Sequence, residues 1–123
     1  MNRLRKIVGN VKIGKYGPFD LYELDNFDFC ENLKFEDEQG IYMFTKRQFL
    51  ENGTIDHDIY YIGKTTAFDT RFYHYHKEKQ LKKENPNCLA ICAYKESEMD
   101  QLEKDMIQFW NPEYNEKLKC EDK

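Results

Sequence analysis

Three short runs of apolar, aromatic and β-branched side chains stand out along the chain, each bounded by polar or turn-forming residues. They occupy residues 40–46, 58–64 and 88–95, and their lengths and compositions favour β-strands. The connection at 46–57 contains the pair Asn52-Gly53, which is a strong signal for a tight hairpin turn. The first two strands are therefore expected to pair antiparallel.

Two other segments place apolar side chains three or four positions apart, as an amphipathic helix does. They are residues 67–82, where the apolar stripe contains Phe68, Phe72 and Tyr75, and residues 97–110. Together with the three strands, these helices predict an α+β fold. Its core is a small three-stranded, mainly antiparallel sheet flanked by helices.

Residues 1–39 carry weaker signals. The pair Gly9-Asn10 is a candidate two-residue turn for a small hairpin, and residues 19–35 mix aromatic and acidic side chains. The predicted organisation is an N-terminal extension at 1–39 that packs on the core, a domain at 40–115 and a polar C-terminal tail at 116–123.

The formal net charge of the 123-residue chain is −4, which is unusual for a protein that holds nucleic acid. The charge is unevenly distributed, however, because basic side chains concentrate in residues 1–16 and 64–83 and acidic ones in 20–38. A local positive field can guide a phosphate backbone even when the net charge is negative. The alternative is that these charges are ordinary solvated surface.

No apolar run in the sequence is long enough to cross a bilayer. The basic N-terminus also lacks the apolar core and the small-residue cleavage site of a signal peptide. The expected location is therefore cytoplasmic, with no membrane partner.

Four cysteines occur, at positions 30, 88, 92 and 120, and without an export signal they are expected to be reduced thiols. The spacing of Cys88 and Cys92 also raises the alternative of a zinc site completed by histidines. The sequence around them is that of a buried strand, and no second cysteine pair has a ligand spacing. Small apolar side chains in a sheet are the favoured interpretation.

Glu103 is the polar exception on the second predicted helix. Ser97 resembles the start of a capping box, so this helix is expected to begin at about residue 98. At about 100° per residue, Glu103 then falls inside the apolar stripe, between Met99 and Ile107. A carboxylate there needs a cation or a hydrogen-bond donor, because its burial without a partner costs several kcal/mol. A structural salt bridge and a bound divalent metal both satisfy that need.

Several of these residues together resemble the GIY-YIG nuclease family. The tripeptides Gly-Ile-Tyr at 40–42 and Tyr-Ile-Gly at 61–63 occur in the family's order, and Arg71 follows Gly63 at the family's spacing. Glu103 in a later helix and Asn115 after a proline complete the pattern. The resemblance covers residues 40–115, and it is the combination, not any one tripeptide, that makes it specific.

The resemblance implies an endonuclease that hydrolyses phosphodiester bonds in DNA. The hydroxyls of Tyr42 and Tyr61 would face the scissile phosphate and position the attacking water, while Arg71 would bind the phosphate and stabilise the transition state. Glu103 would hold one Mg²⁺ or Mn²⁺ ion. A phenol has a pKa of about 10, so a tyrosine base needs a nearby cation, which Arg71, the metal or Lys64 would supply.

Supporting roles are expected for three further residues. Gly63 would end its strand where a side chain would keep a ligand away from the backbone, and Asn115 would stabilise the frame of the site or simply form a turn. Many family members carry a histidine four residues after the arginine, where this chain has Tyr75. His74 and His76 flank that position, and His76, which is nearer the apolar stripe, is a candidate substitute that the pattern does not favour, so the identity of the general base stays open.

The rival interpretation is a catalytically inactive module with the same fold that binds nucleic acid or a protein partner. The presence of all the key polar residues together argues against it. The sequence leaves open whether the DNA is duplex, branched or single-stranded. It also leaves open whether the chain acts alone, as a homodimer or with a protein partner.

Overall fold

The computed structural model describes residues 5–24, 39–65, 81 and 83–115, with the side chains of residues 5–7 left undescribed. Within this part of the chain there are five strands and one helix: β1 (Arg5–Ile13), β2 (Tyr16–Glu23), β3 (Gly40–Phe49), β4 (Ile55–Thr65), β5 (Cys88–Ala93) and α1 (Glu96–Trp110). The strands form one sheet in the order β1-β2-β5-β3-β4, and every neighbouring pair is antiparallel.

The predicted α+β fold, a three-stranded sheet flanked by helices, is therefore wrong. The described residues are mostly sheet: five strands form a single antiparallel sheet, and one helix packs beside it. The two additional strands are β1 and β2, and β2 pairs directly with β5 in the middle of the sheet. Pro18 within β2 and the register shifts in β1 interrupt the alternation by which a strand is recognised in a sequence.

The first hairpin turns at Gly14 and Lys15, so the predicted turn at Gly9-Asn10 is also wrong. Asn10 instead lies inside β1 with a left-handed φ of 56°, and the register between β1 and β2 shifts beside it. The backbone N–H of Asn10 donates to Oδ1 of Asp20 at 3.3 Å. A bulge of this kind places an asparagine in the left-handed region without ending the strand.

The second hairpin confirms the predicted antiparallel pairing of the strands around residues 40–46 and 58–64. Its turn includes Asn52 and Gly53, and Gly53 has a φ of 86°. Oδ1 of Asn52 accepts hydrogen bonds from the backbone N–H and the hydroxyl of Thr54, at 3.0 and 2.6 Å. Both strands extend further toward this turn than predicted, to Phe49 and Ile55.

The apolar core lies on both faces of the sheet. Successive strand residues point to opposite faces, so β3 contributes to two separate clusters. One cluster, on what we call the helix-side face, contains Ile41, Met43, Ile62, Ala90 and the buried residues of α1. The other, on what we call the tyrosine-side face, contains Tyr42, Phe44, Leu81, Leu89 and Ile91. A strand buried on both faces has the continuous apolar sequence seen in residues 41–44.

Helix α1 begins at Glu96, two residues earlier than predicted, and no side chain caps its N-terminus. The predicted capping box at Ser97 is therefore absent, and acidic Glu96 and Glu98 in the first turn complement the helix dipole instead. The helix ends where Asn111 adopts a left-handed φ of 49° and donates its N–H to the carbonyl of Ile107 at 2.7 Å.

Two further predictions concern the remaining helix and the membrane. The helix at 67–82 falls outside the described residues except for Leu81, which is helical and fully buried. Within the described part of the chain, no helix combines the length and the apolar character needed to span a membrane.

Candidate functional site

The two tripeptides of the family resemblance lie side by side in the sheet. In the β3–β4 register Tyr42 is opposite Gly63, and Phe44 is opposite Tyr61. Tyr42 and Tyr61 are therefore diagonal neighbours on the tyrosine-side face, where aromatic rings can reach each other. Their ring centroids are 6.2 Å apart, with 39° between the ring planes. The structure brings these two predicted site residues together.

A neighbouring ring leaves no room for a side chain at Gly63. A Cβ atom at this position would lie 2.8 Å from Cε1 of Tyr42, and closer still to Cζ and the hydroxyl oxygen. The ring of Tyr42 thus packs over the backbone of Gly63. The space that a ligand was expected to occupy is filled by this ring.

Gly40, the first residue of the other tripeptide, is constrained by the backbone of the strand on its other side. A Cβ atom there would lie 2.9 Å from Cα of Ala93 and closer still to the carbonyl oxygen of Cys92. Its φ of 158° is at the limit of the region that favours glycine. The two glycines therefore let Tyr42 and β5 pack closely against the hairpin.

The two tyrosines differ in exposure. Tyr42 is fully buried, with 0% of its surface exposed, whereas Tyr61 is half-buried. A molecule that approaches the protein in this conformation therefore reaches Tyr61 and not Tyr42.

Asn115 lies against the same strand, since its side chain pairs with the backbone of Ile62. Its Oδ1 accepts from the Ile62 N–H at 2.9 Å, and its Nδ2 donates to the Ile62 carbonyl at 2.8 Å. The N–H of Tyr114 also donates to the carbonyl of Tyr60 at 3.1 Å. Residues 114 and 115 thus occupy the outer edge of β4, directly beside Tyr61.

Glu103 and Lys64 lie on the helix-side face. Glu103 is half-buried and stands four residues from both Met99 and Ile107, which are buried. It therefore belongs to the stripe of α1 that packs on the sheet, as the sequence pattern indicates. Lys64 forms an ion pair with Asp100 of the same helix. Neither residue is on the face that carries Tyr42 and Tyr61.

Two predicted site residues, Arg71 and His76, lie outside the described residues, so their roles stay predictions.

Sequence reasoning did not single out Tyr114 and Glu84. The Tyr114 hydroxyl donates to Oε1 of Glu84 at 2.8 Å, and this bond raises the pKa of Tyr114 to about 12. Burial raises the pKa of nearby Tyr60 as well, with further contributions from Glu84, Asp58 and Glu113. These phenols stay protonated at neutral pH and can act only as hydrogen-bond donors or acceptors. In the sequence, Tyr114 could have been noticed because it is next to Asn115, a predicted site residue.

Cys88 and Cys92 are buried in β5 with free thiols, among the apolar residues of the helix-side face. This placement agrees with their interpretation as small core residues. Burial raises the pKa of both thiols, and that of Cys92 to about 11, so neither is a thiolate at neutral pH. Among the described residues, no group of three or more histidine, cysteine, aspartate or glutamate side chains is placed to hold a metal.

We compared the chain with protein-family models, curated protein sequences and solved structures, and none of them matches it.

Proposed function

We propose that the protein is a metal-dependent endonuclease that hydrolyses phosphodiester bonds in DNA, with a site that resembles that of the GIY-YIG nucleases. The observation that carries the proposal is the packing of the two tripeptides. The Tyr42 ring lies over Gly63 and beside Tyr61, so both motifs contribute to one arrangement of side chains. Asn115, the last residue of the sequence pattern, fixes the strand beside it.

We assign Tyr61 to the water or the substrate phosphate, because it is half-buried and Tyr42 is fully buried. Tyr42 then acts as a positioning residue that holds Tyr61 and the Gly63 backbone. Arg71 would bind the phosphate through two parallel hydrogen bonds.

We assign the metal that the proposed function requires to Glu103. A single half-buried carboxylate suits Mg²⁺ or Mn²⁺, which take their remaining ligands from waters and phosphate oxygens. When bound, such an ion stabilises negative charge on the leaving oxygen. The chain's own contribution is to present this carboxylate from the packed face of α1.

The position of Glu103 restricts where a substrate can bind. Tyr61 and Glu103 belong to opposite faces of the sheet, and the two faces meet at the outer edge of β4, the last strand in the sheet. We therefore place a phosphate in contact with both residues at this edge. Asn115 and Tyr114 occupy the same edge.

The second candidate is an inactive module that binds nucleic acid or a protein. Two observations favour it: Tyr42 is fully buried, and Glu103 is on the face opposite the tyrosines. Both candidates predict a folded, monodisperse protein, and only the first predicts hydrolysis.

The test is incubation of the purified protein with plasmid, branched and single-stranded DNA, with and without Mg²⁺ or Mn²⁺. We expect metal-dependent cleavage of at least one substrate by the wild type, and none by Glu103→Gln. Glutamine keeps the size of the side chain but removes the charge that binds a hard cation. Glu98→Gln, the same substitution at an exposed position of α1, is the matched control and should cleave like the wild type.

A wild-type protein that is folded but inactive on all three substrates with either metal would refute the proposed activity. DNA binding in the same samples would then favour the inactive module. Cleavage that survives in Glu103→Gln would instead exclude Glu103 as the metal ligand.

A further inference from the structure

A cavity of about 490 Å³ opens on the helix-side face, beyond the C-terminal end of α1. Residues of both outer strands of the sheet line it, among them Val11 of β1 and Ile55 of β4. The sheet therefore curves enough to bring its two edges to one cavity. Its volume is in the range that accepts a small organic molecule.

Arg47 supplies a cation to this cavity. Its Nε atom is buried without a hydrogen-bond partner, and its guanidinium has no ion pair among the described residues. The guanidinium carbon of Arg47 lies 4.8 Å from the ring centroid of Phe49. Among the described residues, Phe49 is the aromatic side chain that it contacts. A partly buried charge without an anionic partner is costly, and a bound anion would lower that cost.

Three other ionisable side chains line the cavity: Lys12, Asp56 and His57. Burial and the charge of Arg47 lower the pKa of His57, against an opposing effect of Asp56, so the imidazole is neutral at neutral pH. Its Nδ1 lies 2.9 Å from the Thr45 hydroxyl. The two cations Lys12 and Arg47 then exceed the single carboxylate of Asp56, and the cavity favours an anion over a cation.

The rest of the wall is apolar and partly open to solvent. Ile13 and Leu21 form its base, and Phe109 and Trp110 of α1 form one side. Phe109 is 51% exposed and Ile55 is 45% exposed, although both are large apolar side chains. Exposed apolar side chains around a cavity with a few charged groups are typical of a small-molecule site.

We propose that this cavity binds a small organic anion with an aromatic body. Its carboxylate pairs with the Arg47 guanidinium, and its ring lies against Phe109 and Trp110. The proposal is independent of the nuclease activity, because Tyr42, Tyr61 and Glu103 are not among the described residues that line the cavity.

Phenylbutyrate is a suitable probe, and phenylbutyramide is its neutral counterpart of the same shape. Trp110 is the only tryptophan of the chain and lines the cavity, so its fluorescence reports occupancy directly. We expect the acid to bind at least about tenfold more tightly than the amide, since a charge-assisted hydrogen bond contributes more than 1 kcal/mol.

Arg47→Gln should weaken binding of the acid about tenfold and leave that of the amide unchanged. Lys46→Gln is the matched control, because it removes one positive charge from the neighbouring residue of β3, which points to the opposite face. It should leave both affinities unchanged. Asp56→Asn, at an exposed position, should raise the affinity for the acid a few-fold by removing a like charge.

Thermal melting of each variant establishes that it is folded before its affinity is compared. Equal binding of acid and amide, or an acid affinity that Arg47→Gln does not change, would overturn the proposal. So would the absence of any Trp110 response to either probe at millimolar concentration. If Arg47→Gln fails to fold, the Asp56→Asn comparison decides alone, and an unchanged acid affinity there overturns the proposal.

Discussion

Gly40 and Gly63 are both required by close packing, but what they pack against differs. The obstacle to a side chain at Gly63 is the ring of Tyr42, whereas the obstacle at Gly40 is the backbone of β5. A ring can shift at some cost, but a hydrogen-bonded strand cannot move without loss of pairing. The two glycines of the sequence motif therefore differ in how much substitution they tolerate.

We expect Gly63→Ala to lower the free energy of unfolding by about 1–3 kcal/mol, because the new methyl group overpacks a fully buried ring. Gly40→Ala should cost more, since its methyl group meets backbone atoms of Cys92 and Ala93. Urea denaturation of the three proteins, followed by Trp110 fluorescence, measures the difference.

The cause can be isolated by a double-mutant cycle with Tyr42→Leu, which removes the ring atoms that lie over Gly63. In that background Gly63→Ala should cost less than it does in the wild type. An equal cost in both backgrounds would show that the Tyr42 ring is not what requires a glycine at position 63.

At the level of elements, β4 is one of the two outer strands of the described sheet, and an outer strand exposes unpaired backbone groups to other chains unless they are covered. The segment that follows α1 covers part of this edge. Asn115 satisfies both backbone groups of Ile62, and Tyr114 satisfies the carbonyl of Tyr60. At Ile62, the Asn115 side chain therefore makes the hydrogen bonds that a neighbouring strand would otherwise make.

Asn115→Ala should lower the free energy of unfolding by about 1–3 kcal/mol, because it leaves the Ile62 N–H and carbonyl without their partners. The substitution should also speed hydrogen exchange of the Ile62 amide. The amides of Tyr61 and Gly63 should be affected less, because their N–H groups point to the other side of the strand, toward β3. Residue-resolved exchange by NMR measures both.

Gln101→Ala is the control for this prediction. It removes an exposed amide whose Nε2 donates to Asp105 within α1 at 2.9 Å, so it should change stability by only a few tenths of a kcal/mol. If the Ile62 amide exchanges as slowly in Asn115→Ala as in the wild type, the assigned role of Asn115 is contradicted.

The elements that sequence reasoning found are those with an uninterrupted local signal. β3 and β4 have a strong turn at Asn52-Gly53 between them, and α1 has a sustained apolar stripe. The two strands that it missed lack such a signal, since a bulge interrupts β1 and Pro18 lies in β2. One partner of β2 is also distant, because β2 pairs with β5, more than sixty residues along the chain.

The candidate site was predictable to a similar extent. The turn predicts the antiparallel pairing of β3 and β4, with Thr45 opposite Ile59. A register shift between Thr45 and Phe44 then moves Tyr61 opposite Phe44, and so onto the face of Tyr42. The pairing was therefore predictable from the sequence, but the shift that brings the two tyrosines together was not. The stripe of α1 likewise shows that Glu103 faces the sheet. Which face of the sheet α1 covers depends on the path of the chain between elements, and no local pattern of residues encodes it.

Taken as a whole, the molecule has a sheet with different chemistry on its two faces. The tyrosine-side face has Tyr42 and Tyr61, and the helix-side face has α1 with Glu103 and the cavity around Arg47. The proposed function needs Tyr61 and Glu103 together, although they belong to opposite faces. This makes metal binding by Glu103 alone, without DNA, the more direct test of its role.

If Glu103 binds Mg²⁺, the ion should stabilise the folded protein, since a ligand of the native state adds about 2.7 kcal/mol at a concentration of one hundred times its dissociation constant. Mg²⁺ should therefore raise the melting temperature of the wild type and of Glu98→Gln, and leave that of Glu103→Gln unchanged. If Glu103 is instead part of a structural ion pair, Mg²⁺ should stabilise none of the three. Glu103→Gln should then be less stable than the wild type at any Mg²⁺ concentration, because its cation is left without a partner. The loss should stay below the about 3–5 kcal/mol of a fully buried pair, since Glu103 is half-buried. Melting curves of the three proteins across a Mg²⁺ titration distinguish these outcomes, and a stabilisation by Mg²⁺ that persists in Glu103→Gln would place the ion elsewhere.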